Sequence, residues 1–558
     1  MRLELVCFAI LILLGACSNT QSDLSDARTN TDPSTDTDPS TDTDVDVVQT
    51  GSMGMGLNRV SDWSTEYPFI DFMKHARAWH DWDTDDNDDF DVDENGWVTS
   101  LLPGQTAGTV FLVKSADSPI VYDRMIVTYE GTGTIEYGGS AAKIDAESSL
   151  GRDVVQVGQG NHLMKITATD PSDYIRNISI VPEQLEADFD DGEIFNPAWI
   201  ERIGVFRAVR FMGWMNTTDS EQSEWADRPR EDDYVWSQKG VPLEVMIELA
   251  NKIGADPWFS LPHLATEEYI REFAIVVKNQ LSGSRTAYVE HSNEVWNWQF
   301  RQAQYADAAG RQRWGDHADA FMQWHGMRTA IICDIWKQEV FSDSQDRVHC
   351  VFATQAGWQG LENSALNCPL WVAEEAGRDA CYAHGIDSIA ITGYFSGCLA
   401  SNDHADLIRS WFTDADQGMA KGMSQLKDAG MFQCDQSVSA NRDTYAYFKG
   451  VADRHGLDMV AYEGGQHVTG NGYSMQDDQD FVDFHVELNR HPEMKDRYQE
   501  NLNLWKDEGG NLFMHYIDIG EPSKWGSWGG LEYLAQESSP KWEAITEFNQ
   551  KDCWWPGC

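Results

Sequence analysis

From about residue 190 onward, apolar positions along the chain alternate between two patterns. Short apolar runs, typical of strands buried on both faces, are separated by stretches whose apolar positions recur every three or four residues, as in helices packed on one side. The runs at 208–212, 256–263, 288–290, 348–353, 386–394, 459–463 and 511–516 read as strands. Helices are expected from Asn196, with Pro197 suited to a first turn, and over 242–253, 266–281, 300–339, 444–455, 481–506 and 541–548. The apolar run at 69–73, counted as the first strand, makes eight strands alternating with helices. That order predicts an α/β fold, a parallel sheet closed into a (β/α)8 TIM barrel. An open doubly wound sheet would carry a Gly-rich phosphate loop after its first strand, and the sequence has none there.

A different rhythm fills residues 97–183. Runs at 109–113, 125–129, 134–137, 162–167 and 178–182 are short and divided by Gly, Asp and Ser. They predict a small all-β, sandwich-like module inserted after the first strand, leaving 56–96 and 184–558 to the barrel. Such a module either binds carbohydrate or simply packs on its neighbour.

The N-terminal segment carries no core pattern. Arg2, an apolar run at 5–14 and Gly15-Ala16-Cys17 describe an export signal too short to span a membrane. The segment 14–17 resembles a bacterial lipoprotein signal (1–17), which implies lipidation at Cys17 and, with Ser18 following, sorting to the outer membrane. Residues 18–55 read as an acidic linker containing the repeated Thr-Asp-Pro-Ser-Thr-Asp of 31–36 and 37–42, which would stay extended. The membrane is then a partner only through the lipid anchor.

Charge narrows the partners. Lys and Arg number 41 against 91 Asp and Glu, a net charge of −50, which argues against nucleic acid and favours a neutral or cationic ligand. Nothing in the pattern calls for more than a monomer. Of ten cysteines, removing Cys7 and Cys17 leaves eight, an even number suited to disulfides in an exported chain; short spacings favour Cys368–Cys381 and Cys553–Cys558. No zinc spacing is present and no cofactor is expected. Asp91, Asp93 and Asn95 open like a calcium loop, but the twelfth position is Leu102, so a solvated acidic turn is favoured over structural calcium.

Candidate chemistry lies at strand ends. Asn293-Glu294 closes the fourth expected strand and Glu463 the seventh, and in a barrel such positions converge on one mouth. An acid at the end of an apolar strand is costly unless paired or used. Gly464 and Gly465 would keep the space beside Glu463 clear for a ligand. This arrangement resembles the clan A glycoside hydrolases, retaining (β/α)8 enzymes with an Asn-Glu acid/base on strand four and a nucleophile Glu on strand seven. The resemblance implies that Glu294 is the acid/base and Glu463 the nucleophile, with Arg210 beside the nucleophile and Tyr394 donating to it. It implies that Asn293 bonds the sugar 2-hydroxyl. Trp525 or Trp528 could stack on a pyranose, and His263 or His291 could contact substrate or tune a carboxylate. The function implied is retaining hydrolysis of β-glycosidic bonds in a plant or algal polysaccharide by double displacement. The alternative is a non-catalytic, cell-surface carbohydrate-binding lipoprotein.

Overall fold

In the computed structural model, residues 51–83, 88–115, 118–119, 121–428, 430–432, 434, 436–470, 474–556 and 558 are described. The expected export signal, Cys17 and most of the expected linker lie outside them. The chain enters the fold through β1 (Gly54–Gly56) and then makes seven short strands: β2 (Ala107–Lys114), β3 (Arg124–Glu130), β4 (Gly133–Gly139), β5 (Ala142–Lys143), β6 (Arg152–Gln156), β7 (Gly160–Thr169) and β8 (Arg176–Pro182). Seven more follow among helices: β9 (Ala208–Arg210), β10 (Asp256–Leu261), β11 (Ala287–His291), β12 (Val348–Ala353), β13 (Ser388–Phe395), β14 (Asp458–Gln466) and β15 (Met514–Tyr516).

Eight of these form one parallel sheet in the order β14-β13-β12-β11-β10-β9-β1-β15. Its two ends meet where the Ala461 N–H donates to Leu512 O at 2.9 Å and the Asn511 N–H to Met459 O at 2.7 Å. The barrel is therefore nearly closed. Strands β2 to β8 pair only antiparallel, in a sheet β2-β7-β4 and another β5-β6-β3-β8.

The first barrel strand is a correction to the pattern reading. Residues 69–73 form no strand; Phe72–His75 is a short 3-10 turn whose cap, Asp71, accepts the Met73 N–H at 2.9 Å. The barrel starts instead at Gly54-Met55-Gly56, and residues 51–55, expected in the linker, are buried. Three residues with two glycines carry no periodicity. Packing explains the glycine: a Cβ at Gly54 would lie 2.1 Å from Met514 Sδ on β15. The last helix, Pro540–Asn549, fixes this entry, because Asn549 Oδ1 accepts the N–H groups of Ser52 (3.0 Å) and Met53 (2.9 Å).

Helices wrap the barrel with one apolar face inward. Leu243–Ile253 buries Leu243, Met246, Ile247, Leu249, Ala250 and Ile253, and Gly254 at φ 67° ends it in the left-handed conformation that glycine accepts freely. Each such aliphatic side chain contributes about 1.5–3 kcal/mol on burial. The expected single helix 300–339 is broken: Arg301–Trp314 stops at Gly315, and Ala320–Cys333 continues as a wider π turn over Asp334–Val340. The stretch 481–506 is likewise two helices, Gln479–Arg490 and Met494–Asp507, with Pro492 between.

Disulfides join Cys368 to Cys381 and Cys553 to Cys558, the two pairs favoured by spacing, and also Cys398 to Cys434. Cys333 and Cys350 are buried thiols. In the acidic turn, Asp93 Oδ1 accepts the N–H groups of Asn95 (3.0 Å) and Trp97 (2.9 Å), and Oδ2 accepts the Tyr174 hydroxyl (2.8 Å). Among the described residues no helix is long and apolar enough to cross a membrane.

Candidate active site

Glu463, on β14, is 7% exposed and has both carboxylate oxygens engaged. Arg210, the last residue of β9, donates from Nη1 to Oε1 at 2.7 Å, and the Tyr394 hydroxyl, from β13, donates to Oε2 at 2.9 Å. Burial pushes the Glu463 carboxyl up to about 7; Arg210 and Tyr394 pull it down, and the Glu294 charge adds to the rise. Burial likewise holds the Tyr394 hydroxyl in its protonated, donating form, reinforced by the Glu463 charge.

Arg210 is itself locked. Its Nε and Nη2 donate to Glu290 Oε2 at 3.3 and 2.9 Å, and Nη2 also donates to Asn293 Oδ1 at 3.0 Å. Its guanidinium lies 5.1 Å from the ring centre of Tyr462 and 5.7 Å from that of Trp258. Burial works against the charge on this arginine, and the Glu290 and Glu463 charges more than offset that. Glu290 also accepts the Trp258 indole N–H at 2.9 Å and the Ser260 hydroxyl at 3.1 Å. The planar guanidinium fork therefore links a carboxylate on the fourth barrel strand to one on the seventh.

Glu294 follows β11 in a turn where Ser292 and Glu294 have φ of 62° and 46°. Left-handed backbone is uncommon for these residues and clusters at functional sites. Its half-buried side chain accepts the Tyr462 hydroxyl at 3.0 Å on Oε1 and the Asn297 amide at 3.0 Å on Oε2. Asn293 donates to Thr218 Oγ1 at 3.2 Å. A cavity of about 750 Å³ opens here, lined by Glu294, Trp296, Asn297, Tyr394 and Tyr462 with Gln355, Gln359, Gln436, Asn441 and His467. Its walls come from the ends of β11 to β14 and the loops that follow them. Behind Tyr394, Asn441 Nδ2 donates to Tyr394 O (2.9 Å) and to Asn501 Oδ1 (2.8 Å), and Asn501 Nδ2 donates to Gly393 O (2.9 Å). These buried amides hold the strand end that aims the tyrosine.

The structure thus brings together Glu294, Glu463, Asn293, Arg210 and Tyr394. Trp528 stands at the edge of this group, its ring 6.2 Å from Tyr394 and 5.0 Å from His467, whereas Trp525 is 53% exposed on the same loop. His291 points elsewhere: its Nδ1 meets His325 Nδ1 at 2.8 Å, and His325 Nε2 donates to Ala353 O at 3.1 Å. That second bond leaves His325 Nδ1 as the acceptor, so His291 Nδ1 is the donor and the ring belongs to the core. His263 packs edge-on against Tyr305 at 5.3 Å, and burial drives it down to about 4, so it is a neutral ring at physiological pH. Neither histidine contacts either glutamate. Gly464 and Gly393 serve packing rather than a ligand, since a Cβ there would lie 2.2 and 2.3 Å from the Phe513 ring. Glu290 and Tyr462 escaped the sequence reading. The signal was available for Glu290, because an acid inside the apolar run 287–291 raises the same question as Glu463 does.

No protein-family model and no curated protein matches the sequence. Solved structures align at low scores. A fungal β-1,4-galactanase aligns at 11% identity and TM-score 0.33 over 66% of this chain and 96% of its own. Xylanase 10B from Thermotoga maritima aligns at 11% and 0.31 over 64% and 92%, and a Bacteroidetes-affiliated GH5 cellulase at 11% and 0.32 over 64% and 82%. A likeness at this level assigns no role to any residue, and the site rests on its own geometry.

Proposed function

We propose that the protein is a glycoside hydrolase, and more narrowly a retaining one that cleaves β-glycosidic bonds of a plant or algal polysaccharide. The observation that carries this reading is Glu463 clamped between Arg210 (2.7 Å) and Tyr394 (2.9 Å) beside a cavity lined by Glu294. A carboxylate with both oxygens fixed is a poised nucleophile, and a half-buried acid on a facing strand can protonate a leaving oxygen. Glu463 attacks the anomeric carbon as the protonated Glu294 gives its proton to the departing oxygen. Glu294 then takes a proton from water, which displaces Glu463 and restores the original configuration. Arg210 and Tyr394 hold the carboxylate in line for attack, and Asn293 is read as the partner of the sugar 2-hydroxyl.

The sheets β2-β7-β4 and β5-β6-β3-β8 are read as an inserted module, and export as a lipoprotein anchored at Cys17 would place the enzyme where polymers arrive. Glu463→Ala should abolish hydrolysis across a panel of β-glucan, mannan, xylan and galactan. Glu294→Gln should lose about 10²–10⁴-fold on those polymers and far less on aryl glycosides whose leaving group needs no proton. Full activity in Glu463→Ala would remove the assignment. Tight glycan binding by a wild-type protein that releases no product would favour the non-catalytic binding lipoprotein.

A further inference from the structure

The cavity beside the two glutamates is polar without being basic. Gln355, Gln359, Gln436 and Asn441 line it with amides and Thr392, Ser396 and Thr444 with hydroxyls, and among the described residues no Lys or Arg belongs to its wall. Arg210 lies beneath the cavity but is 2% exposed and committed to Glu463, Glu290 and Asn293. Arg442, next to Asn441 in the chain, pairs with Glu508, and Arg301 pairs with Glu221 at 2.7 Å. His467, in the wall, is open to solvent, and desolvation of its ring holds it below the ordinary histidine value.

We propose, building on the hydrolase reading above, that the substrate is an uncharged glycan, with neither sulfate esters nor uronate carboxylates on the sugars seated in this cavity. A desolvated anion needs a guanidinium or ammonium partner. Here it would meet Glu294 instead, with Glu463 behind, inside a protein of net charge −50. Amides are suited to the opposite task. Asn441 and Gln436 already bond Tyr394 O, Asn501 and Ser396, but the Gln355 and Gln359 amides each carry a donor and an acceptor, which matches sugar hydroxyls that do both. Gln355 and Gln359, on the loop after β12, are exposed in the cavity wall.

The test uses the full-length protein and matched pairs: a sulfated galactan with its desulfated form, and a β-glucan with its carboxymethylated form, beside neutral mannan and xylan. Binding is read by affinity electrophoresis and hydrolysis by reducing ends, each at low salt and at high salt. Binding to a neutral backbone should exceed that to its charged partner by at least about tenfold at low salt, and the gap should narrow as salt screens the repulsion. Tighter binding of the charged member, equal binding of both, or no binding to any neutral glycan would overturn the inference. Preference for the neutral member without release of product would uphold the inference while removing the hydrolase reading.

Discussion

The Tyr394 hydroxyl donates to Glu463 Oε2 at 2.9 Å, on the oxygen opposite the one held by Arg210. Two donors from different strands thus fix the plane of the carboxylate. Tyr394→Phe removes one of them and leaves a buried oxygen unpaired. A hydrogen bond to a charged group contributes about 1.5–3 kcal/mol, so kcat should fall roughly 10- to 150-fold. Because Tyr394 helps lower the carboxyl's pKa, the acid limb of activity should also move to higher pH in the variant. Matched pH profiles of kcat/KM for wild type and variant check both; an unmoved acid limb would mean that the tyrosine does not act on Glu463.

The wild-type acid limb has its own expected position. Glu463 must be ionised to attack, and its carboxyl is pushed up to about 7 in the free protein. The acid limb of the rate at limiting substrate, kcat/KM, should therefore lie near pH 7, with activity rising as Glu463 ionises. An acid limb near the ordinary glutamate value of 4.5 would show that Arg210 outweighs burial. Arg210→Lys separates the cases, since a lysine keeps the charge but cannot make the fork to Glu463, Glu290 and Asn293 together.

Much of this site was legible in the sequence for a physical reason. A carboxylate at the end of a strand that is otherwise apolar is costly, so Glu463 and Glu294 stand out in one dimension, whereas Arg210 and Tyr394 were singled out only by the resemblance to the glycoside hydrolases. Seven of the eight barrel strands show as apolar runs. The eighth, Gly54-Met55-Gly56, does not, because its identity lies in how closely Met514 approaches it. Residues 69–73 misled for the complementary reason: Phe69, Ile70, Phe72 and Met73 are buried, but Asp71 turns the chain by capping Met73. The two histidines were placed near the mouth by position along the chain, which fixes a Cα but not the side to which a ring turns. His291 turned to His325, a residue 34 positions away whose orientation no local pattern encodes.

The Cys398–Cys434 disulfide closes a loop of 36 residues after β13, and Gln436, two residues beyond it, lines the cavity. The Gln436 carbonyl accepts the N–H groups of Ser396 (2.8 Å) and Gly397 (3.0 Å), and its side chain accepts the Ser396 hydroxyl (2.7 Å). The cross-link therefore supports one wall of the cavity and none of the reacting groups. The Cys398→Ser/Cys434→Ser double variant should lose about 2–4 kcal/mol of stability and raise KM while kcat changes little. Thermal unfolding and steady-state kinetics measure the two effects separately. A fall in kcat at constant KM would mean that the loop positions Tyr394 rather than substrate.

A second buried pair of acids lies beneath the ends of β1 and β15, and it sets how stability depends on pH. Asp518 accepts the Asn58 N–H at 3.0 Å and the Trp199 indole N–H at 2.9 Å, while Glu66 takes a 3.4 Å contact from Asn58 Nδ2 and is helped by its own N–H and by Ser64. Burial, then the charge of Asp518, raises the Glu66 carboxyl well above its ordinary 4.5. The better-satisfied Asp518 keeps the negative charge and Glu66 keeps the proton. A folded-state pKa above the unfolded one means that the folded protein binds more protons. This contribution to stability is complete below pH 4.5 and is lost as pH rises through the raised folded value. Glu66→Gln replaces the neutral acid by a neutral amide of the same shape. Its Tm should match wild type near pH 5 and exceed it at pH 8, where wild type must either ionise Glu66 in an apolar site or unfold. A Tm lowered equally at both pH values would show instead that Glu66 is needed as a carboxyl group whatever its charge, and would remove it as the source of the pH dependence.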